Sequence, residues 1–469
     1  MAFFTTFDTS EIGEILVYGS GRDETAMSVP VVIMDGGMGT TLEDLFKQDI
    51  SNTPLWSARI IRDNPDILKQ AHLAFLRAGS QVFQTVTYQS SVETFAMAGY
   101  SEGVAIAAMR EAVRISVQAR QVYLDEQRGS GIGGTRNHNG SHLRSTTGPA
   151  LCLSLGPYGA ILPGAQEHDG LYPPPFGPVG ADAPKDLHTT AFATSSEEEC
   201  SQSVAALEER AELSLADFHL RRLLAFAEDD ETWDRIDCIA FESVPLVREA
   251  RAIKRAVSQL EARLVGETVQ HDQRRMKPWY ISCNFHGPNG ECTQERWKGG
   301  PRIDIGTLVH DVLGSSARSQ VSPVAQPAGI GINCAEPKFI SRLVKAMTEV
   351  VAGLSDVDNR PWLIVYPNGG LVYNADTQTW HGESGQDTEK EWAKSTWESI
   401  QGGLGRALAT KTARESQIRL PWSGVVVGGC CKVGPENIHA LKVLSTTKNV
   451  RLATVPQDLL LPVTLSVAE

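Results

Sequence analysis

Gly424-Val425-Val426-Val427-Gly428-Gly429-Cys430-Cys431 is a short apolar run that stops at a glycine pair and delivers two adjacent cysteines. Three β-branched residues in a row without alternation suit a strand covered on both faces. The same design recurs. Val31-Val32-Ile33-Met34 ends in Asp35-Gly36-Gly37, Gly329-Ile330-Gly331-Ile332 in Asn333-Cys334, and Trp362–Tyr366 in Pro367-Asn368. Residues 81–88, Ala150–Leu155, residues 237–241 and Trp279–Cys283 complete eight such runs. Helical segments alternate with them, at Pro65–Ala78, 101–127, 196–227, 246–264, Ile305–Leu313, 338–351, 389–408 (mixed with loop) and from Pro435. Alternation without a strand–strand hairpin signal predicts a parallel sheet. Eight repeats match a closed (β/α)8 TIM barrel, a single α/β domain with long loop insertions. An open doubly wound sheet is the alternative, but the turn after Met34 lacks the G-x-G-x-x-G spacing.

Residues 1–29 then form an N-terminal extension, helical at most over 9–17. Residues 30–445 form the barrel, with insertions near 128–148, 160–195 and 257–277 and a polar insert at 315–327; residues 446–469 are a C-terminal tail. A chain of 469 residues can bury one large core. The formal charge of −13, with no long basic run, argues against a nucleic-acid partner. No apolar run reaches the roughly 18 residues that would span a bilayer, so no membrane is expected. The acidic start lacks the marks of a signal peptide, which predicts a cytoplasmic location. There, eight cysteines read as thiols or metal ligands rather than disulfides.

On a barrel, the polar residues that end the strands share one face. Asp35, Tyr88, Tyr158, Glu242, Asn284, Asn333, Cys334, Asn368, Cys430 and Cys431 all fall there, where barrel active sites lie. The strands leading to Cys334 and to Cys430 are separated by one strand, about 9–10 Å across the sheet. Alternate strands feed the same interior layer, so the three sulfurs could converge on one metal at about 2.3 Å each, and thiolates favour zinc. Three ligands leave the fourth position open, as catalytic zinc requires. Three buried thiols in an ordinary core are the alternative. Cys152, Cys200, Cys238, Cys283 and Cys292 have no comparable setting, and His72, His219, His286, His310 and His439 show no ligand spacing with the trio.

A zinc ion with three thiolates carries net negative charge and is a poor Lewis acid, yet it can strip the proton from a substrate thiol. A free thiol of pKa about 8.5 is only a few per cent ionised at neutral pH, so such a site suits alkyl transfer onto sulfur. Glu242 and Asp35 each end an apolar strand and could clamp an ammonium group. Backbone N–H groups of residues 36–41, Gly36, Gly37 and Thr40 among them, could hold a carboxylate. Trp56, Tyr88, Tyr158 and Trp297 could turn ring faces to a cationic sulfonium. The plainer alternatives are a turn or cap for Asp35, an acid at the start of the next helix for Glu242, and packing for the aromatics.

These residues carry a family resemblance. The chain resembles the homocysteine S-methyltransferases, zinc-dependent barrels, through DGGMGTTLE (35–43), PLWSAR (54–59), QTVTYQSS (84–91), LGPYGA (155–160), FESVPLVREA (241–250), GINC (331–334), YPNGG (366–370) and GGCC (428–431). The motifs run in the family's order over residues 30–445. The resemblance implies Zn2+ bound by Cys334, Cys430 and Cys431, homocysteine's amino group recognised by Glu242 with Asp35, and in-line attack of the zinc-bound thiolate on a donor methyl to give methionine. It implies catalytic roles for the three cysteines and Glu242, and a substrate site drawn from Asp35, Gly36, Gly37, Thr40, Tyr88, Tyr158, Glu242, Asn333 and Asn368. The expected partners are homocysteine and a small cationic donor, S-methylmethionine or S-adenosylmethionine. Betaine is the rival donor, and a catalytically silent zinc- or thiol-binding barrel that senses homocysteine is the alternative outside catalysis. Three stretches depart from the family pattern: Gly369-Gly370-Leu371 after Asn368, Gly164-Ala165-Gln166-Glu167-His168 where Gly-Ser-Glu-Tyr is usual, and Asn284-Phe285-His286 where Cys-Lys-Asp is usual. All lie on the donor side.

Overall fold

The computed structural model describes residues 13–17, 27–129, 148–266, 275–287, 289–314, 324–354, 360–374, 379–381, 388–409 and 420–446. The predicted strands are there. They are β2 (Met27–Ile33), β3 (Val82–Gln84), β4 (Ala150–Leu155), β5 (Cys238–Val244), β6 (Trp279–Cys283), β7 (Gly329–Asn333), β8 (Trp362–Tyr366) and β11 (Gly424–Val427), with β1 (Gly13–Val17), β9 (Val372–Asn374) and β10 (Thr379–His381) besides. Nine of them make one curled sheet, ordered β1-β2-β11-β8-β7-β6-β5-β4-β3. From β2 to β3 every pairing is parallel. The curl brings β3 back to the end of β2, where Met34 bridges Val82. There the Gln81 N–H donates to the Ile33 carbonyl at 2.7 Å and the Asp35 N–H to the Val82 carbonyl at 3.0 Å.

Burial explains the sequence pattern. β4 and β5 are buried at every position, because each strand has one row of side chains inside the curl and one under helices. Val32, Met34, Val82, Cys152, Cys238, Ala240, Ile364 and Val426 pack together as the inner row. Their neighbours Val31, Ile33, Leu151, Leu153, Ile239 and Phe241 pack into the outer core with the helices. Each fully buried aliphatic chain contributes about 1.5–3 kcal/mol. The helices begin where the sequence supplies signals: Pro65 and Pro337 stand at first-turn positions, and Asp304 caps the helix Ile305–Leu313 through the Thr307 N–H. Gly79, at φ 104°, ends the helix Pro65–Ala78. No described helix is long and apolar enough to cross a membrane.

Three expectations need correcting. Residues 13–17 are strand, not helix, and β1 pairs antiparallel with β2. Ile15 and Val17 are buried while Glu14 is exposed, a period of two that helical spacing cannot produce. β9 and β10 form an antiparallel pair, so the chain does contain a hairpin. β3 ends at Gln84 rather than continuing to 88: the Thr85 and Thr87 hydroxyls bond each other at 2.6 Å and Thr87 donates to the Ser154 carbonyl at 2.7 Å, turning the chain out of the sheet. The predicted helix over 246–264 is observed as Val247–Gly266, so it takes in the first part of the segment 257–277, of which residues 267–274 lie outside the described residues. Residues 130–147 and 315–323, most of two proposed inserts, lie outside the described residues, as does the tail from 447.

Candidate active site

β7 and β11 flank β8 in register, with Asn333 opposite Tyr366 and Val427 opposite Val365. The residues just past these strands therefore emerge at one level. Cys334 Sγ lies 3.8 Å from Cys431 Sγ, which lies 3.9 Å from Cys430 Sγ, and all three are within 4.8 Å of one another. Tetrahedral bonds of about 2.3 Å put sulfurs about 3.8 Å apart, so the trio fits a metal of zinc's size. The group comprises three ligands among the described residues, leaving a fourth direction for something else. The Cys334 and Cys430 S–H groups both point at Cys431 and hold its pKa well below the ordinary thiol value. Cys334 and Cys430 are pushed upward, because their protons serve those hydrogen bonds and a second thiolate would meet the first.

The cysteine turn is locked to the turn after β2. Gly37 donates to the Val433 carbonyl at 2.9 Å and Gly429 to the Asp35 carbonyl at 3.0 Å. A Cβ on Gly37 would sit 2.5 Å from the Cys430 carbonyl oxygen, and one on Gly429 would sit 2.0 Å from Val433 Cγ1. Glycine is thus required at both places by close approach. Cys334 (φ 54°) and Lys432 (φ 63°) take left-handed backbone, uncommon for residues with a Cβ. The Cys334 N–H donates to the Tyr366 carbonyl at 3.1 Å, and the Lys432 N–H to Thr40 Oγ1 at 2.9 Å.

Beside the sulfurs lies a cavity of about 400 Å³, lined among others by Gly36, Gly37, Thr40, Trp56, Gln84, Tyr88, Glu167, Glu242 and the three cysteines. Glu242 is buried and held on every side. Ser154 donates to Oε1; Gln84 Nε2 and the Tyr366 hydroxyl donate to Oε2 at 2.9 and 3.0 Å. Burial raises its pKa to about 7, and the Ser154 and Gln84 bonds hold it from rising further. Asp35 lies behind, 1% exposed; its Oδ2 accepts the Gln84 backbone N–H at 2.8 Å and its Oδ1 has no partner. Burial, and secondarily the charge of Glu242, pushes Asp35 well above the carboxylate range. Gln84 thus joins both acids, by its side chain to one and its backbone to the other.

Some expected residues support the site from outside the cavity. Asn333 accepts the Ser243 N–H at 2.8 Å and donates to Ser243 Oγ at 2.6 Å. That clamp holds Ser243 at φ 58°, in the irregularity between Phe241 and Val244 where β5 shifts register. Asn368 donates to the Cys334 carbonyl at 3.3 Å and accepts the Gly370 N–H. Tyr158 stacks on Phe176 at 3.9 Å within a separate apolar cluster, and Trp297 packs over Gly300; neither lines the cavity. Gly37, one of the amides expected to hold a carboxylate, instead donates to Val433.

Other functional groups were not evident in advance. Gln84 and Ser154 are polar interruptions in apolar strands, and Ser154 shares the inner row with Cys152; that was the available signal. Buried Arg222 donates to the carbonyls of Ser90, Gly156, Thr87 and Tyr88, fixing the Tyr88 turn from a helix far away in sequence. Glu167 lines the cavity with Oε2 unpartnered, and burial raises its pKa to about 8.

Sequence comparison bears on what this arrangement does. The homocysteine S-methyltransferase family profile matches residues 32–444. Homocysteine S-methyltransferase YbgG of Bacillus subtilis (strain 168) is 27% identical over 414 residues, covering 88% of this chain and 93% of that protein. Homocysteine S-methyltransferase 2 of Zea mays is 25% identical over 421 residues, covering 87% and 88%. Among solved structures, the metallated form of the homocysteine methyltransferase MmuM from Escherichia coli shares the fold, with a TM-score of 0.53, 20% identity, and coverage of 88% of this chain and 96% of that one. Since the family profile runs across most of the chain, the protein belongs to the homocysteine S-methyltransferase family and is a methyltransferase.

Proposed function

We propose that the chain moves a methyl group from a sulfonium donor, S-methylmethionine or S-adenosylmethionine, to the sulfur of homocysteine, giving methionine, with zinc held by Cys334, Cys430 and Cys431. The observation that carries this is the convergence of three sulfurs at the wall of a cavity that also contains Glu242. When bound, zinc supplies the positive charge that keeps a substrate thiol ionised near neutral pH. Homocysteine loses its thiol proton, its sulfur forms the new S–CH3 bond, and the donor sulfur takes the electrons of the bond that breaks and leaves as a neutral thioether. Glu242, with Asp35 behind it, receives the ammonium of homocysteine. Tyr88 and Trp56 offer ring faces to the sulfonium, and the first turn of the helix Met38–Asp44 lies open for a carboxylate. Asn333 and Asn368 act by positioning Ser243 and Cys334.

We also infer that residues 30–445 form a closed (β/α)8 barrel, supported by the Met34–Val82 bridge and the inner row of side chains. Residues 1–29 and 446–469 are then an extension and a tail. The described chain carries eight free cysteines, which suits a reducing cytoplasm.

The test incubates zinc-loaded protein with homocysteine and, separately, S-methylmethionine, S-adenosylmethionine and betaine, reading methionine. Turnover with a sulfonium supports the proposal. Turnover with betaine alone would replace the donor, and normal zinc and homocysteine binding without turnover from any donor would leave a sensor. In Cys431→Ser, bound zinc should fall from about one per chain to near zero; undiminished zinc would refute the metal site.

A further inference from the structure

Part of the cavity wall is built by residues 164–168, of which Ala165, Glu167 and His168 line it, with residues 284–286 packed against them. Residues 164–168 follow β4 and residues 284–286 follow β6, and the fold brings them together. Asn284 Nδ2 donates to the Glu167 carbonyl, and His168 Nδ1 stands 2.9 Å from His286 Nε2. An imidazole–imidazole hydrogen bond needs an acceptor nitrogen, so at most one of these rings can be charged. Gly159 packs beneath, since a Cβ there would lie 2.5 Å from the Glu167 N. The segment is thus fixed with Glu167 only 7% exposed, on the cavity lining, and with Oε2 buried without a partner. A buried carboxylate oxygen left in that state is costly, and a ligand that donates to it recovers the loss.

We propose that Glu167 selects the methyl donor: its carboxylate accepts N–H hydrogen bonds from the α-ammonium of an amino-acid sulfonium, favouring that class over cations without an N–H. The inference rests on the sulfonium-to-homocysteine reading above. Glu242 cannot serve both substrates, because Ser154, Gln84 and Tyr366 already take positions on its two oxygens. A quaternary ammonium such as betaine can neutralise the charge of Glu167 but leaves Oε2 unbonded. An α-ammonium satisfies both needs.

The experiment compares three donors, S-methylmethionine, dimethylsulfoniopropionate (the same dimethylsulfonium without an ammonium) and betaine, in wild-type, Glu167→Gln and Glu167→Asp proteins. Metal content and thermal unfolding verify that each variant is folded. In the wild type, kcat/KM should favour S-methylmethionine over dimethylsulfoniopropionate by roughly ten- to hundredfold, the worth of a hydrogen-bonded charge pair. Glu167→Gln should remove most of that preference through the KM for S-methylmethionine, leaving the KM for homocysteine and the zinc content within about twofold. Equal losses for both sulfoniums, an intact preference, or a loss falling on homocysteine would each overturn the proposal. If the wild type turns over no donor, the functional reading fails separately. Calorimetric titration with S-methylmethionine then decides the inference: weaker binding by Glu167→Gln supports it, and equal binding overturns it.

Discussion

Replacing Gln84 by methionine removes one hydrogen bond and changes little else. The lost donor is Nε2, 2.9 Å from Glu242 Oε2; the backbone N–H that serves Asp35 at 2.8 Å remains. A hydrogen bond to a charged group contributes about 1.5–3 kcal/mol, which equals about one to two pKa units. Burial already lifts Glu242 to about 7, and the Gln84 bond opposes that rise, so the variant's carboxyl should titrate one to two units higher. If only ionised Glu242 takes the ammonium of homocysteine, the variant should bind about ten- to a hundredfold more weakly near pH ~6.5. The difference should shrink below about twofold near pH ~9.5, where both forms are ionised. Calorimetric titration of homocysteine into zinc-loaded wild-type and variant proteins over this range measures the ratio. The ligand's own amine and thiol titrate alike against both proteins, so they cancel. A ratio that does not change with pH would refute Glu242 as the ammonium acceptor.

Gly37→Ala should push the Cys430 carbonyl away, since the new Cβ would start 2.5 Å from it. A loss of about 1–3 kcal/mol in zinc affinity is expected, read by competition with a chromogenic chelator. Gly103→Ala, where a Cβ meets nothing within 4 Å, is the control. Asn333→Ala should lower the unfolding free energy by about 2–3 kcal/mol, because the buried Ser243 N–H loses its acceptor and the Ser243 hydroxyl loses the bond from Asn333 Nδ2. Adding Ser243→Gly should return about 1 kcal/mol, since glycine accepts a positive φ. Urea midpoints measure both effects, and further destabilisation by the second change would show that Asn333 holds no strained backbone.

The eight parallel strands could be read because each is buried on both faces and ends abruptly in glycine or a polar residue. Apolar runs such as Ala150–Leu155 and Gly424–Val427 come out with their predicted bounds. β1 escaped notice because only five residues carry its alternation, too few to stand out within a polar extension. At the site, the cysteines were legible from the two turns and the one-strand separation. Asn333, Asn368 and Tyr158 were not. A polar or aromatic residue at a strand end looks the same in sequence whether its side chain faces a ligand or braces a neighbouring turn. Gln84 and Arg222 were hidden for the same reason, as their partners lie 158 and up to 135 positions away.

The raised pKa values around the cavity share one leading cause. Asp35, Glu167 and Glu242 are all shifted upward first by burial, which penalises an anion that has no cation to answer it. The basic residues alongside are engaged elsewhere: Lys432 Nζ pairs with Asp44, and the Arg222 guanidinium donates to four carbonyls. Glu167, Glu242 and the three cysteines thus line one space, with Asp35 behind Glu242, and a bound cation would supply the positive charge there. A dication at the sulfurs, an ammonium at Glu242 and a cationic donor near Glu167 would answer each in turn. The turn carrying Asp35 and the turn carrying Cys430 are hydrogen-bonded to each other, so the acid behind Glu242 and the sulfurs are held as one unit. On the function proposed above, this rigidity would position the acceptor's thiol and let homocysteine bind with little movement of the protein.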